Sequence, residues 1–456
     1  MKTTNRVMLA ALLAMGAACG AASKTSKHEM NRQAAEAPPP PSSVTEGQQV
    51  QRNVTKEAKN DFAEAVAYYK QQEKAGWNSS SCTSAADKFK AVAGSHDKVV
   101  EAWFNAGLAY HKCGDTQHAE EMYQKAIAIN PSHSPSLANL GEIYYRGGNI
   151  ERGEQYFQKA VQADKKTTAG RNNLAWIYYA KLRKTKDESY VKRAEEELSR
   201  VLAVDNDNIV AYTILALVYM QGSEKNKSRL DVAKLLLEEG KKRNDKYPPL
   251  YNAWGLLHMK KNNVGEALKM FRQAVEMDPN MVEARLNVGQ IVLSFRKYQE
   301  AEENFRFVLN KKDILKEERY DATVGLGVAL RGQKKIDDAA GLYEEAMKMQ
   351  PERGDAYYNM GLLWKDFKTN SDDMKANKQS FIKAKGYFNQ FMGKSDAQPD
   401  KREEAKDNLD SCDKNIAALD QAIENAANAP PPPPPTPAAP PAGAKPAPTP
   451  APAPKK

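Results

Sequence analysis

An all-α chain built as a solenoid of stacked helix pairs is what this sequence predicts, and two observations carry the prediction. The first is residues 100–133, VEAWFNAGLAYHKCGDTQHAEEMYQKAIAINPSH, which read as two short amphipathic helices around a turn at Cys113-Gly114-Asp115. Small residues stand where the helices must touch (Gly107, Ala119, Ala126), bulky ones flank them (Trp103, Leu108, Tyr110, Tyr123), and Pro131 follows the second helix. Such a pair cannot bury its apolar face alone, so the unit demands neighbours of its own kind. The second observation is that those neighbours are present.

With Val100 as position 1, the pattern returns from Ser134 (Leu137, Leu140, Gly141, Tyr144, Phe157, Ala160) and from Pro248 (Tyr251, Trp254, Gly255, Ala267, Phe271, Ala274, Pro279). It returns again from Val282 (Val288, Gly289, Ala301, Phe305, Val308) and from Tyr320 (Leu326, Gly327, Ala339, Tyr343, Ala346, Pro351). Looser copies start near Thr168 (Leu174, Ala175, Tyr178, Ala194, Leu198), Ile209 (Tyr212, Leu215, Ala216, Tyr219, Ala233, Leu237) and Gly354 (Tyr357, Met360, Gly361, Trp364, Ala384, Phe388). These carry roughly 5 to 11 extra residues between their helices, the length of an ordinary surface loop. The pattern resembles the tetratricopeptide repeat (TPR) family. That resemblance implies a right-handed superhelical solenoid of about nine helix-turn-helix repeats, over residues 56–396. The divisions expected are 56–99, 100–133, 134–167, 168–208, 209–247, 248–281, 282–319, 320–353 and 354–396.

Composition agrees with an array and excludes one large class of partner. The net charge is +9, from 67 basic against 58 acidic residues, and the two signs mix along the predicted helices (AEEELSR, KEERYDA), as on a solvated face. No concentrated basic stripe of the kind that grips nucleic acid stands out.

Taken from its start, the chain opens with an export signal over residues 1–19. Lys2 and Arg6 precede the apolar run 7–18, which is too short to span a bilayer. The run ends Gly16-Ala17-Ala18-Cys19-Gly20 and resembles a bacterial lipoprotein signal, in which a lipidated cysteine becomes the first mature residue. Gly16 departs from that pattern, which usually has Leu there. Cys19 as lipidation site implies an anchor rather than a span, and Gly20 implies sorting to the periplasmic face of the outer membrane. The alternative is cleavage after Ala18 or Ala22 and a soluble periplasmic protein. Residues 20–55, polar and with Pro38 to Pro41, read as a disordered tether. A divergent first helix pair follows (Phe62, Ala65, Tyr69, then Ala85, Phe89, Val92), with a long loop KAGWNSSSC ending at Cys82.

Cys82 and Cys113 fall on consecutive antiparallel helices, the start of one beside the end of the other. An oxidising compartment permits a disulfide between them, leaving Cys412 free; the other reading is two unrelated thiols. His111 and His118 flank Cys113 at a spacing that matches no metal-ligand motif, so no metal is expected.

Beyond the array, residues 401–427 place Leu409, Ile416, Leu419 and Ile423 on one helical face, suited to cap the last repeat. Residues 428–456 are a Pro/Ala-rich tail expected to be disordered and extended, a spacer or a ligand for an aromatic-lined groove.

No glycine-rich phosphate loop, nucleophile elbow or paired histidines of a zinc protease occur, and six His are present in all. The sequence therefore predicts no enzyme, no cofactor and no small-molecule substrate. Binding is better supported. In the TPR family the first helix of each repeat lines the concave wall through positions 2, 5, 6, 9, 12 and 13. Position 6 is Asn105, Asn139, Asn173, Asn287 and Asn359 in five of eight aligned repeats. A carboxamide offers a donor and an acceptor, matching a peptide unit, and the set resembles the asparagine ladder that some TPR proteins use for extended peptides. Around it stand Phe104, Leu108, Tyr145, Trp176, Tyr179, Leu217, Met220, Leu256, Met259, Leu293, Tyr358 and Leu362, apolar where a solvated helix would be polar. The competing reading has the amides bonding between helices and the apolar groups packing.

The expectation is a non-enzymatic protein-binding scaffold of the bacterial cell envelope, its concave face holding other envelope proteins in a complex. The architecture resembles TPR outer-membrane lipoproteins of myxobacteria, including those of the gliding-motility machinery. A pilotin-like factor for outer-membrane secretin assembly, or a regulator of a cell-wall enzyme, are the alternatives.

Overall fold

The computed structural model describes residues 55–428, apart from 97–98, 222, 224–225, 312–313 and 370–371. Among the described residues it is all-helical. The signal-like segment with Cys19, the polar stretch after it and the prolines from Pro430 onward lie outside them.

The helices come in antiparallel pairs: α1 (Lys56–Ala75) with α2 (Ser79–Ser95), α3 (Val100–Lys112) with α4 (Thr116–Ile129), α5 (Ser134–Arg146) with α6 (Ile150–Ala163), and α7 (Thr168–Thr185) with α8 (Ser189–Val204). Next come α9 (Ile209–Gln221) with α10 (Arg229–Arg243), α11 (Pro248–Lys260) with α12 (Val264–Met277), and α13 (Val282–Ser294) with α14 (Tyr298–Leu309). The last pairs are α15 (Lys316–Gly332) with α16 (Ile336–Met349) and α17 (Asp355–Asp366) with α18 (Met374–Met392), before the long α19 (Pro399–Ala427).

One packing device repeats along the array. The first helix of a pair carries glycine where the second inserts an aromatic ring. A Cβ on Gly107 would sit 2.5 Å from the Tyr123 ring, and one on Gly141 2.6 Å from Phe157. The inserted rings Tyr123, Phe157, Phe271, Phe305, Tyr343 and Phe388 are all fully buried. Each such ring removes most of its surface from water, worth roughly 2–3 kcal/mol per side chain. Neighbouring pairs are tied at their outer edges by ion pairs from the end of one first helix to the start of the preceding second helix. Lys261–Asp231 (3.1 Å), Lys335–Glu302 (3.5 Å), Lys368–Asp337 (2.5 Å) and Lys181–Glu154 follow this rule. Exposed pairs of this sort contribute at most about 1 kcal/mol each.

Two local expectations shift. The loop before Cys82 is short, because Asn78 caps α2 early: its side chain accepts from Ser81 N at 2.9 Å while Ser81 Oγ accepts from Asn78 N at 3.0 Å. Cys82 thus sits inside the first turn of α2. In the looser copy from Thr168, extra residues lengthen α7 itself to Thr185 before the turn, since nothing between Lys181 and Thr185 breaks a helix.

Helix α19 lies along α18, with Cys412 and Ala405 fully buried and Lys385 bonded to Asp413 at 2.5 Å. Its first turns are fixed by charge. Lys401 Nζ meets Asp355 Oδ1 at 2.8 Å, Arg353 reaches Asp321 at 2.8 Å and Asp355 at 3.1 Å, and Tyr358 OH donates to Glu404 at 3.0 Å.

Candidate functional site

The inner wall of the solenoid is made by the first helices of successive pairs, and the structure sorts the five position-6 asparagines into three situations. Asn287 is fully buried in the seam between α11 and α13, where its Nδ2 donates to Asn252 Oδ1 at 2.9 Å and its own Oδ1 has no partner. Asn105 and Asn359 turn back on their own helices, donating to the carbonyls of Glu101 (2.6 Å) and Asp355 (2.9 Å). Asn139 on α5 is half-buried and Asn173 on α7 is buried, and neither amide makes a hydrogen bond among the described residues. Two amides at one register on the first helices of consecutive pairs thus have no hydrogen-bond partner among the described residues.

The apolar groups at the other inner positions are mostly covered, because adjacent first helices press side by side. Phe104, Leu108, Trp176, Tyr179, Leu217, Met220, Met259 and Tyr358 are all buried, while Tyr145, Leu256, Leu293 and Leu362 keep partial exposure. Phe104 packs edge-on to the His133 ring at 5.3 Å. Trp176 donates its indole N–H to Tyr145 OH at 2.9 Å and stands 5.1 Å from the Tyr179 ring, so these three aromatics form one unit beside Asn139 and Asn173. Tyr358 is held by α19 through Glu404 and lies against Phe388 and Phe391, which places it at the end of the array.

Charged groups that the sequence reading did not single out complete the wall. Glu142 is buried and pairs with Arg146 at 3.3 Å on α5. Glu283 on α13 and Glu318 and Asp321 on α15 are buried as well. Burial drives the Glu318 carboxyl well above the ordinary carboxylate value and Glu283 adds to this, while the Leu315 N–H (2.8 Å) and the Arg146 guanidinium pull it back. Burial likewise pushes the Tyr145 phenol up to about 12, against the Trp176 N–H and the Arg183 charge, with Glu318 raising it. Asp321 is raised to about 6 by burial, opposed by Arg353 and Arg183. The signal for these acids was legible: Glu283 and Asp321 both occupy position 2, one of the inner positions.

At the N-terminal end, Cys82 and Cys113 are joined in a disulfide with Cα atoms 6.3 Å apart, and Lys112 pairs with Glu73 nearby at 3.4 Å. Cys412 is buried, which pushes its thiol up to about 11. Among the described residues no cluster of three or more His, Cys, Asp or Glu is arranged to hold a metal, and no helix is long and apolar enough to cross a membrane.

Known proteins match in the same terms. Family profiles described as tetratricopeptide repeat match residues 100–133, 122–155 and 252–309, and one described as plant specific mitochondrial import receptor subunit TOM20 matches 328–427. The human protein O-mannosyl-transferase TMTC3 is 27% identical over 125 residues, 25% of this chain and 14% of that protein, so the chain spans a small part of that relative. Among solved structures, the human IFIT1 dimer with PPP-AAAA is 18% identical, covers 78% of this chain and 84% of its own, and superposes with a TM-score of 0.50. Yeast Tom70 is 17% identical, covering 76% of this chain and 67% of its own, with a TM-score of 0.44. At such identities the likeness to the solved structures is one of fold alone. With its repeats matched and its helix pairs stacked through one recurring seam, the chain is a tetratricopeptide-repeat solenoid.

Proposed function

We propose that this solenoid is a non-catalytic scaffold that holds an extended segment of another protein against the inner wall of α5 and α7. The observation that carries the reading is the pair Asn139 and Asn173, two amides at one register with no hydrogen bond among the described residues. An amide can give one donor and one acceptor to a passing backbone, so two in sequence grip a strand without reading its side chains. The tetratricopeptide repeats themselves point to protein binding. The transferase activity in the name TMTC3 belongs to that human protein, of which the match covers 14%.

The finer part of the proposal concerns place and partners. The N-terminal sequence makes the chain an exported lipoprotein anchored through Cys19 at the periplasmic face of the outer membrane. Its wall then assembles an envelope complex, of which gliding-motility machinery is the first candidate. Mass spectrometry of the mature N-terminus tests the anchor: a lipid-modified Cys19 peptide supports it, and an unmodified start at Ser23 sinks it. Mild crosslinking in cells followed by pull-down tests the partner. Motility-complex subunits support the reading, whereas a secretin or a cell-wall hydrolase replaces it with the pilotin-like or regulatory role.

A further inference from the structure

Position 9 of the first helices divides the inner wall into two halves. In the pairs that begin with α3, α5, α7 and α9 that residue is covered: Leu108, Glu142, Trp176 and Leu217 are 6%, 4%, 4% and 2% exposed. In the pairs that begin with α11, α13, α15 and α17 it is half-exposed, as Leu256, Gln290, Val328 and Leu362. Position 12 adds Leu293 and Arg331, also half-exposed. These four helices stand side by side. Asn287 meets Asn252 between α11 and α13 (2.9 Å), α13 packs on α15, and Arg331 Nη1 donates to the Asn359 carbonyl between α15 and α17 (3.1 Å). The result is one uncovered strip, apolar at Leu256, Leu293, Val328 and Leu362. Among the described residues the Gln290 amide makes no hydrogen bond and Arg331 makes no ion pair, so both keep donors to offer.

The spacing of the strip fits one kind of chain. Packed helices stand about 8–10 Å apart. A polyproline II helix repeats every three residues, about 9.3 Å, so one of its faces presents a residue to each first helix in turn. A β-strand repeats on one face every two residues, about 6.6–6.8 Å, and loses step within two helices. Polyproline II also leaves its carbonyls unbonded, ready for donors such as Gln290 and Arg331. This chain carries such a sequence at the near end of the strip: residues 429–456, outside the described residues, follow α19 and include Pro430 to Pro435.

The reach is sufficient. Helix α19 runs antiparallel to α18, with Lys385 on Asp413 and Lys378 on Asp420, and therefore parallel to α17. The two start together, held by Lys401 and Asp355 at 2.8 Å, so the end of α19 lies about 28 Å beyond the level of Leu362. Crossing from α17 to α11 takes about another 28 Å, and the tail spans roughly 85 Å at about 3.1 Å per residue.

We propose that the Pro/Ala-rich tail docks as a polyproline II segment along Leu256, Gln290, Val328 and Leu362 of its own solenoid. A tether this short holds the tail at roughly millimolar effective concentration, so a contact too weak between separate molecules is filled within one chain. The docked tail reserves the C-terminal half of the wall, and a partner segment that runs from α5 and α7 on to α11 must displace it. The docking itself does not rest on the binding reading above.

The test uses the full chain with the photocrosslinker p-benzoylphenylalanine in place of Val328 or of Gln290, and in place of Asn139 on the α5 wall as reference. Illumination of dilute protein, followed by peptide mass analysis, is expected to join Val328 and Gln290 to peptides from residues 429–456 of the same chain. The yield should exceed that from Asn139 by about tenfold or more. Leu362→Glu, with helical content checked by circular dichroism, should lower the Val328 yield severalfold. Equal yields from all three positions overturn the docking, as do tail peptides found only in two-chain products, no tail peptide at all, or a Val328 yield that Leu362→Glu leaves unchanged. If the chain altered at Val328 or Leu362 does not fold, the ratio of Gln290 to Asn139 decides.

Discussion

Asn287 donates its amide to Asn252 across the α11–α13 seam at 2.9 Å, fully out of contact with solvent. A position-6 asparagine therefore serves packing in one repeat, whereas in another, as at Asn139, its amide makes no hydrogen bond among the described residues. Asn287→Ala removes a buried donor and leaves the Asn252 carbonyl without it, which costs roughly 1–3 kcal/mol. Asn139→Ala, by contrast, should change stability by less than about 0.5 kcal/mol. Urea unfolding of the two variants side by side checks the difference.

Acid should loosen the C-terminal helix. Burial raises the Asp355 carboxyl, but Lys401 at 2.8 Å and Arg353 at 3.1 Å outweigh it and hold it at about 2, below its ordinary 3.8. A carboxyl depressed on folding contributes stability that is whole above its unfolded value and is lost as pH falls through the folded one. The contribution is roughly 2 kcal/mol and should vanish between about pH 4 and pH 2. Lys401→Met should flatten that limb of the stability curve, followed by thermal melts across the range.

Four turns between paired helices hold a non-glycine residue in the left-handed region: Lys186, Asn262, Arg296 and Lys334, with φ of 59°, 59°, 58° and 63°. Equivalent turns use Gly114 and Gly148. A left-handed lysine or arginine costs about 1–2 kcal/mol, of which glycine's looser unfolded state gives back a part. Lys334→Gly and Arg296→Gly should each stabilise by about 0.5–1 kcal/mol, read as a higher urea midpoint.

The first helix pair has a described neighbour on one side only, and the Cys82–Cys113 disulfide ties it to the second across a sequence separation of 31. In the chain-entropy picture such a closure is worth roughly 3–4 kcal/mol. Cys82→Ser should raise amide exchange in α1 and α2 while leaving α9 to α16 protected, because repeats couple mainly to their neighbours.

The repeat fold was legible because one steric rule, glycine receiving an aromatic ring, recurs at fixed spacing from Gly107 and Tyr123 to Gly327 and Tyr343, and again across a longer insert at Gly361 and Phe388. What a given wall position does was less legible, since that depends on the rotation between repeats, which no local pattern states. Tyr358 sits at a wall position yet is held by Glu404 of α19, and Trp176 is covered although its position faces inward. The acids Glu283 and Asp321 were visible at position 2, but their burial depends on how successive repeats pack, which no local pattern states.

The central claim is that the wall beside α5 and α7 grips another polypeptide through Asn139 and Asn173. Quantitative crosslinked capture by N139A/N173A, beside the unaltered chain and with melting temperatures matched, tests it most directly. Capture reduced about tenfold or more, as two lost hydrogen bonds would give, is the predicted result. Capture equal to that of the unaltered chain would contradict it.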